Sequence, residues 1–232
     1  MSRIFICFFI LISLLCLPAC GSTITESIPV IQKESSPVLN NIIANSKTIE
    51  ELYYEEKPVY SYYSGGIKIV NTSQVWLKDN VLKTEQITDF YKNDTLIDRE
   101  ISGRIFDYKT LNKKHYCLGK YAEQKNLKES LPKDTLIVPR DQTILWYLDR
   151  VIPDLSIIGE ADYEGEKCLV VEILKNNLGS TKLWISKKRE LPVKVENNYN
   201  GNISVREYCN FKVGKDSVSN NALEIPKGAV QF

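Results

Sequence analysis

From Thr181 to Glu196 the chain reads T-K-L-W-I-S-K-K-R-E-L-P-V-K-V-E, two apolar alternations on either side of a charged turn. Leu183 and Ile185 alternate with Lys182, Trp184 and Ser186. Beyond Lys187 to Glu190, Val193 and Val195 alternate with Lys194 and Glu196. A period of two puts successive side chains on opposite faces, so the stretch predicts two antiparallel strands sharing one apolar face. Comparable runs lie before it at Lys167 to Leu174 and after it at Ile203 to Phe211, set off by Asn/Gly punctuation at Asn176 to Gly179 and Asn197 to Asn202. This is the pattern of an antiparallel meander, and its apolar face needs a cover.

A second meander begins at Val59. Tyr60 to Val70 carries Tyr60, Tyr62, Tyr63, Ile67 and Ile69, and the runs Gln74 to Lys78 and Val81 to Ile87 flank Asp79-Asn80, a tight-turn signal. Further strands are expected at Phe90 to Asp94, Thr95 to Ile101, Gly103 to Lys109 and Lys114 to Leu118. Helical spacing is rarer. Leu39, Ile42, Ile43, Ile49, Leu52 and Tyr53 predict one or two short helices within Pro37 to Tyr54, with Pro37 in the first turn. Lys120 to Ser130 reads as a polar helix. Asp141 to Val151 reads as a helix with Ile144, Leu145, Leu148 and Val151 on one face, capped by Asp141 and stopped by Pro153. The fold class is therefore α+β: a long, curved antiparallel sheet covered by a few helices.

The start of the chain has a different character. Arg3 is the one charge before Glu26, and Ile4 to Leu15 is apolar except for Ser13. That run is shorter than the about 20 residues a membrane span needs, and it fits the apolar region of a secretory signal. Leu17-Pro18-Ala19-Cys20-Gly21 then fits a bacterial lipobox, in which the Cys20 thiol takes a diacylglyceryl group and becomes the first residue after cleavage. Two acyl anchors hold a protein stably at a membrane. Three regions are expected: a signal peptide over 1–19, a lipidated cysteine and flexible tether over 20–36, and a folded domain over 37–232. The tether spans very roughly 20 Å, so the domain works at the outer face of the cell membrane.

Loss of residues 1–19 removes Arg3 alone among the charges, and the basic side chains that remain balance the 29 acidic ones. A neutral chain does not point to nucleic acid as a partner. Three cysteines would stay unlipidated, Cys117, Cys168 and Cys209, and a Cys168–Cys209 bond is the pairing to test, since both fall within strands of one meander. No CxxC or Cys/His cluster offers a zinc site, and no cofactor motif is present. The lone histidine, His115, and the carboxylates Asp162, Glu164 and Glu166 around a hairpin turn at Gly165 give no nucleophile or acid/base pair, so no catalysis is expected.

Four segments taken together, Q-V-W-L-K-D-N (74–80), G-E-A-D-Y-E-G-E-K-C-L-V-V-E (159–172), K-L-W-I-S-K-K-R-E-L-P-V-K-V-E (182–196) and L-E-I-P-K-G-A (223–229), resemble the LolA-like superfamily of envelope proteins. The resemblance runs from about Pro37 to Ala229. It implies a half-barrel in which a curved antiparallel sheet wraps helices around an apolar cavity for acyl chains. Trp76 stands where that family often has an aromatic residue, and Lys83 near where its carriers often place an arginine. Anchored members include glycolipid movers and the GerS-like clostridial germination lipoproteins, which partner a cortex-processing amidase and are similar to this chain in plan.

Two functions follow. In one, Ile144, Trp146, Tyr147, Leu148, Val170 and Leu183 line a cavity that holds a lipid. In the other, which an anchored chain suits better, the half-barrel is a scaffold that docks an envelope amidase through residues such as Tyr60, Tyr62, Lys187 and Arg189. The exposed edge of an open sheet also makes a strand-swapped homodimer an expectation.

Overall fold

Residues 36–120, 139–149, 155–175 and 179–231 are described by the structure, a computed structural model. The signal peptide, Cys20 and the tether up to residue 35 lie outside them. So do residues 121–130 of the expected polar helix and the Pro153 stop.

Helix α1 spans Pro37–Ser46, with Pro at its first turn and Leu39 and Ile42 buried. Of the one or two helices expected within Pro37 to Tyr54, one forms. Glu51 already begins strand β1, Glu51–Tyr63, where Leu52 and Tyr54 alternate with the half-buried Tyr53. There follow β2 (Ile67–Lys78), β3 (Val81–Lys92), β4 (Thr95–Asp107) and β5 (Asn112–Leu118). A 3-10 turn at Pro139–Gln142 leads into α2, Leu145–Asp149. The second meander is β6 (Leu155–Tyr163), β7 (Glu166–Lys175), β8 (Gly179–Ser186), β9 (Pro192–Tyr199) and β10 (Asn202–Val213). A further 3-10 turn at Asn220–Leu223 precedes the short β11, Val230–Gln231.

Strands expected as short pieces prove long. Thr95 to Ile101 and Gly103 to Lys109 merge into β4, because Gly103 pairs normally with Glu85 and Tyr116 and does not break the ladder. Phe90 to Asp94 divides between the end of β3 and the β3–β4 turn, where Asn93 and Asp94 take positive φ. The cap at α2 also moves. Asp141 lies in the 3-10 turn, and it is the Thr143 hydroxyl that accepts the Leu145 N–H, at 3.2 Å.

Among the described residues the strands form one antiparallel eleven-stranded sheet in the order β11-β5-β4-β3-β2-β1-β10-β9-β8-β7-β6. It is open, with β6 and β11 as its edges, and these are where strand exchange would act. The fold is mainly β, and among the described residues α1 and α2 provide the α-helical cover. No helix there is long and apolar enough to cross a membrane.

The core explains the curvature. Leu82 of β3 and Val171 of β7 belong to the same buried cluster as Leu39 and Ile42 of α1 and Leu145 and Leu148 of α2. Six strand spacings separate β3 from β7, about 29 Å on a flat sheet, whereas a helix is only about 10–12 Å across. Both strands reach one pair of short helices because the sheet curls around them. The concave core is a set of cross-strand rows. Leu52, Leu77, Leu82 and Phe106 stand opposite one another on β1 to β4, and Ile157, Val171, Leu183 and Val195 on β6 to β9.

Cys117, Cys168 and Cys209 are free thiols. The Cys168–Cys209 bond that was the pairing to test does not form. β7 and β10 are three spacings apart, about 14 Å, and a disulfide needs Cα atoms within about 7 Å.

The close approach of Gly103 to Tyr116 gives a test of the β4–β5 packing. A Cβ on Gly103 would collide with the fully buried Tyr116 ring. Gly103→Ala is expected to lower stability by about 1–3 kcal/mol, as overpacking does. Urea unfolding should show a lower midpoint with an unchanged slope, and an unchanged midpoint would contradict this placement of the ring.

Candidate functional site

One parity of β1 to β5 faces inward, and its chemistry changes along the strands. The row Leu52–Leu77–Leu82–Phe106 is apolar; its three leucines belong to the helix-covered core, and Phe106 meets Tyr108, which packs against that core, at 4.0 Å. The next inward row is Tyr54–Val75–Thr84–Arg104–His115, and the one after it is Glu56–Ser73–Gln86–Ser102. Two steps along a strand move the floor from hydrocarbon to hydroxyl, amide and charge. Over this polar floor lies a cavity of about 680 Å³, with Asp141, Thr143, Ile144, Trp146 and Tyr147 on one side and Arg206 and Tyr208 of β10 on another.

The walls are tied together by rings and charge. Tyr54 and Tyr208 meet edge to face at 5.4 Å. Burial pushes both phenols well above the ordinary tyrosine value, so they stay neutral; around Tyr54 the backbone of Ile144 opposes that rise by a hydrogen bond. Arg206 stands inward beside Val195 and brings its Nη1 to 3.9 Å from Glu56 Oε1. Burial alone would depress its guanidinium, but Glu56, Tyr208 and Tyr147 hold it above the usual arginine value. Arg104 donates its Nε–H to Thr84 Oγ1 at 3.0 Å. Trp146 and Tyr147 cross at 5.0 Å in a T-shaped pair.

The outer face of the same strands carries a second cluster. Lys83, only 5% exposed, donates to the backbone carbonyls of Ala222 and Glu224 at 2.9 and 2.8 Å, and pairs with Glu85 at 3.0 Å. Its ammonium lies over the rings of Trp76 and Tyr116, 5.0 and 5.7 Å from their centroids. The Tyr116 hydroxyl donates to Glu85 at 2.5 Å, and burial drives its pKa up. Nearby, Lys78 donates to the Val218 carbonyl at 2.8 Å, and Glu51 accepts the Val218 N–H at 3.1 Å. These contacts strap residues 214–229 onto the outside of the sheet. Trp76 and Lys83, which the LolA-like resemblance marks, serve that strap and not the cavity.

The candidate residues separate. Ile144, Trp146 and Tyr147 line the cavity. Leu148 and Leu183 are fully buried in the helix-covered core, and Val170 points outward, between the inward-facing Leu169 and Val171. Tyr60 and Tyr62 are 55% and 75% exposed on the outer face near the β1–β2 turn. Lys187 pairs with Glu160. Arg189 holds Glu166 at 2.7 Å and lies over the Phe211 ring at 5.4 Å. Phe211 stacks with Tyr54, eight residues and about 26 Å of strand from Tyr62, so the two pairs of contact candidates do not form one surface. The sequence reading passed over Thr84, Gln86, Ser102, Arg104 and Arg206. The available signal was that they share parity with Leu77 and Leu82, or with Val195, across the ladders. Among the described residues no group of three or more His, Cys, Asp or Glu is placed to hold a metal ion.

No protein-family model matches the chain, and no curated protein matches it. Among solved structures it is similar to a DUF1329 family protein from Desulfovibrio piger, at 11% identity over 80% of this chain and 94% of that one, with a TM-score of 0.36. It is also similar to the Pseudomonas aeruginosa MucA/MucB complex, at 14% identity, 83% and 61% coverage and a TM-score of 0.45. A structure of MucB with MucA(peri) gives 14%, 82% and 60%, and 0.44. The chain spans about three fifths of the chains matched in those two MucB structures.

The strap makes Lys83 a sharp test. Lys83→Met leaves Glu85 buried without its cation and two carbonyls without their donor, so a loss of about 3–5 kcal/mol is expected. Amide exchange should accelerate across 214–229 more than in α1. Uniform acceleration over the whole domain would show that Lys83 does not specifically hold the strap.

Proposed function

We propose that this chain is a non-enzymatic envelope lipoprotein, held at the outer face of the cell membrane through Cys20, that acts by docking another protein. The partner chemistry its resemblance to germination lipoproteins supports is a cell-wall amidase, which makes the chain a germination accessory. The observation that carries this reading is an outer-face patch beside the β1–β2 and β3–β4 turns. Tyr62, Lys68, Tyr91 and Leu96 stand opposite one another there, with Tyr60 in the next row. Lys68 lies over the Tyr91 ring at 4.9 Å and pairs with Asp94 at 2.9 Å, and Arg99 grips Asp89 through two bonds of 2.6 and 2.8 Å. Exposed tyrosines braced by paired cations offer rigid contact area, the composition that interfaces favour.

The alternative, an acyl-chain carrier, has less support. Leu148 and Leu183, two of its expected lining residues, are core, and the floor of the cavity is polar. Burying Arg104, Arg206 and Glu56 against methylene groups costs their hydration with no bond in return.

Two measurements test the proposal. Cys20→Ala is expected to lose incorporated palmitate and to move the chain from the membrane to the soluble fraction; a labelled variant that stays membrane-bound would remove the tether from the account. With a photo-crosslinking residue at Tyr62 of the full chain in cells, the expected adduct contains an amidase and is missing when the probe stands at Leu174, which is also exposed. Equal adducts at both positions, or adducts holding lipid alone, would overturn the docking role.

A further inference from the structure

We propose that the concave cavity is a binding site for a polyhydroxylated ligand without net charge, of the class of a short oligosaccharide. This goes beyond the docking role and does not depend on it, because the cavity lies on the inner face and the tyrosine patch on the outer.

Charge balance is the first ground. The two arginines of the cavity are matched by the carboxylates of Glu56 and Asp141, while the third lining carboxylate, Glu85, is already paired with Lys83 at 3.0 Å. Arg206 and Glu56 approach to 3.9 Å, while Arg104 and Asp141 act with opposite sign on one neighbour, the half-buried Tyr108, whose pKa burial raises to about 12. An anion or a cation bound here would break an existing balance, whereas a neutral ligand keeps it.

Hydrogen-bonding inventory is the second. Ser73, Thr84, Gln86, Ser102 and Gln142 all line the cavity, and every one of them both donates and accepts. Sugar hydroxyls do the same, so a carbohydrate can satisfy such groups in either sense. A hydrocarbon chain satisfies none of them and leaves each desolvated.

Flat apolar surface is the third. The half-buried Trp146 and Tyr147 line the same space at right angles to one another, and an aromatic face is a natural seat for the C–H side of a pyranose. The volume, about 680 Å³, falls inside the about 300–1,000 Å³ of small-molecule sites.

The test is saturation-transfer NMR on the full chain held in phospholipid nanodiscs, with empty nanodiscs as blank. The probes are the tetrasaccharides of N-acetylglucosamine and of glucose, with trialanine as a peptide probe. The expected result is transfer to the ring C–H protons of at least one tetrasaccharide, abolished by Trp146→Ala and weakened at least tenfold by Gln86→Leu. Gln86 is exposed on the cavity floor, outside the core, so the second variant tests binding without disturbing the fold. No transfer to either sugar at millimolar concentration overturns the proposal. Transfer that Gln86→Leu leaves unchanged does so as well, as does transfer to trialanine alone, or a co-purified acyl chain that organic extraction releases and that Trp146→Ala lacks.

Discussion

The pairing of β1 with β10 joins two meanders that are otherwise each built from neighbouring strands. Leu52 stands opposite Val213, and Glu56 opposite Tyr208, so the ladder closes across more than 150 residues of chain. Without that seam α1 and α2 would face half a sheet, and neither apolar row would be covered from both sides. Tyr54 sits at the seam and shows how it is fixed: its ring meets Tyr208 edge to face and Phe211 at 6.2 Å, and its hydroxyl meets the backbone ahead of α2. Such aromatic pairs add about 0.5–1.5 kcal/mol beyond the area they bury, and here they join β1, β10 and the helical cover at one point.

Register then decides what the inner face is. A slip of β3 by one residue against β2 would turn Leu82 outward and bring Lys83 in. The strap over 214–229 guards against that slip. Lys83 meets its carbonyl partners only from the outer face, so the correct parity satisfies a buried charge while the slipped one strands it. The outer cluster is thus a device for holding the inner face in place.

What was legible in the sequence was local. The β8–β9 hairpin could be read because Leu183, Ile185, Val193 and Val195 alternate cleanly around Lys187 to Glu190, and the Asp79-Asn80 turn because Asp79 takes the positive φ such turns need. What was not legible depended on partners. Leu52 and Tyr53 continue the helical spacing of Ile49, yet they enter a strand because β10 and β2 pair with them on both sides. β6 was passed over, since L-S-I-I-G-E-A-D-Y has no clean alternation; a bulge near Gly159 shifts its parity midway. The cavity was placed too deep. Leu148, Val170 and Leu183 look like lining until Leu148, on α2 itself, and Leu183 prove to be core and the register puts Val170 on the outer face. The polar floor was invisible because Thr84 or Gln86 in a strand reads as solvent-facing until the opposite strand is known.

One irregularity lets a single strand serve both faces. Along β1, Tyr54 and Glu56 stand opposite Val75 and Ser73 and face the cavity. Then a bulge between Glu56 and Val59 sets two residues against one, so Tyr60 and Tyr62 stand opposite Val70 and Lys68 and face outward. An unbroken strand would have sent all four even-numbered side chains inward and left the outer face of the hairpin without its tyrosines. Pro58, which lacks an N–H, falls within the bulge, just past the point where the pairing with β10 ends at Glu56. The break in hydrogen bonding, the change of parity and the divergence of β1 from β10 therefore coincide, and the exposed tyrosines arise from the same few residues that form the wall of the cavity.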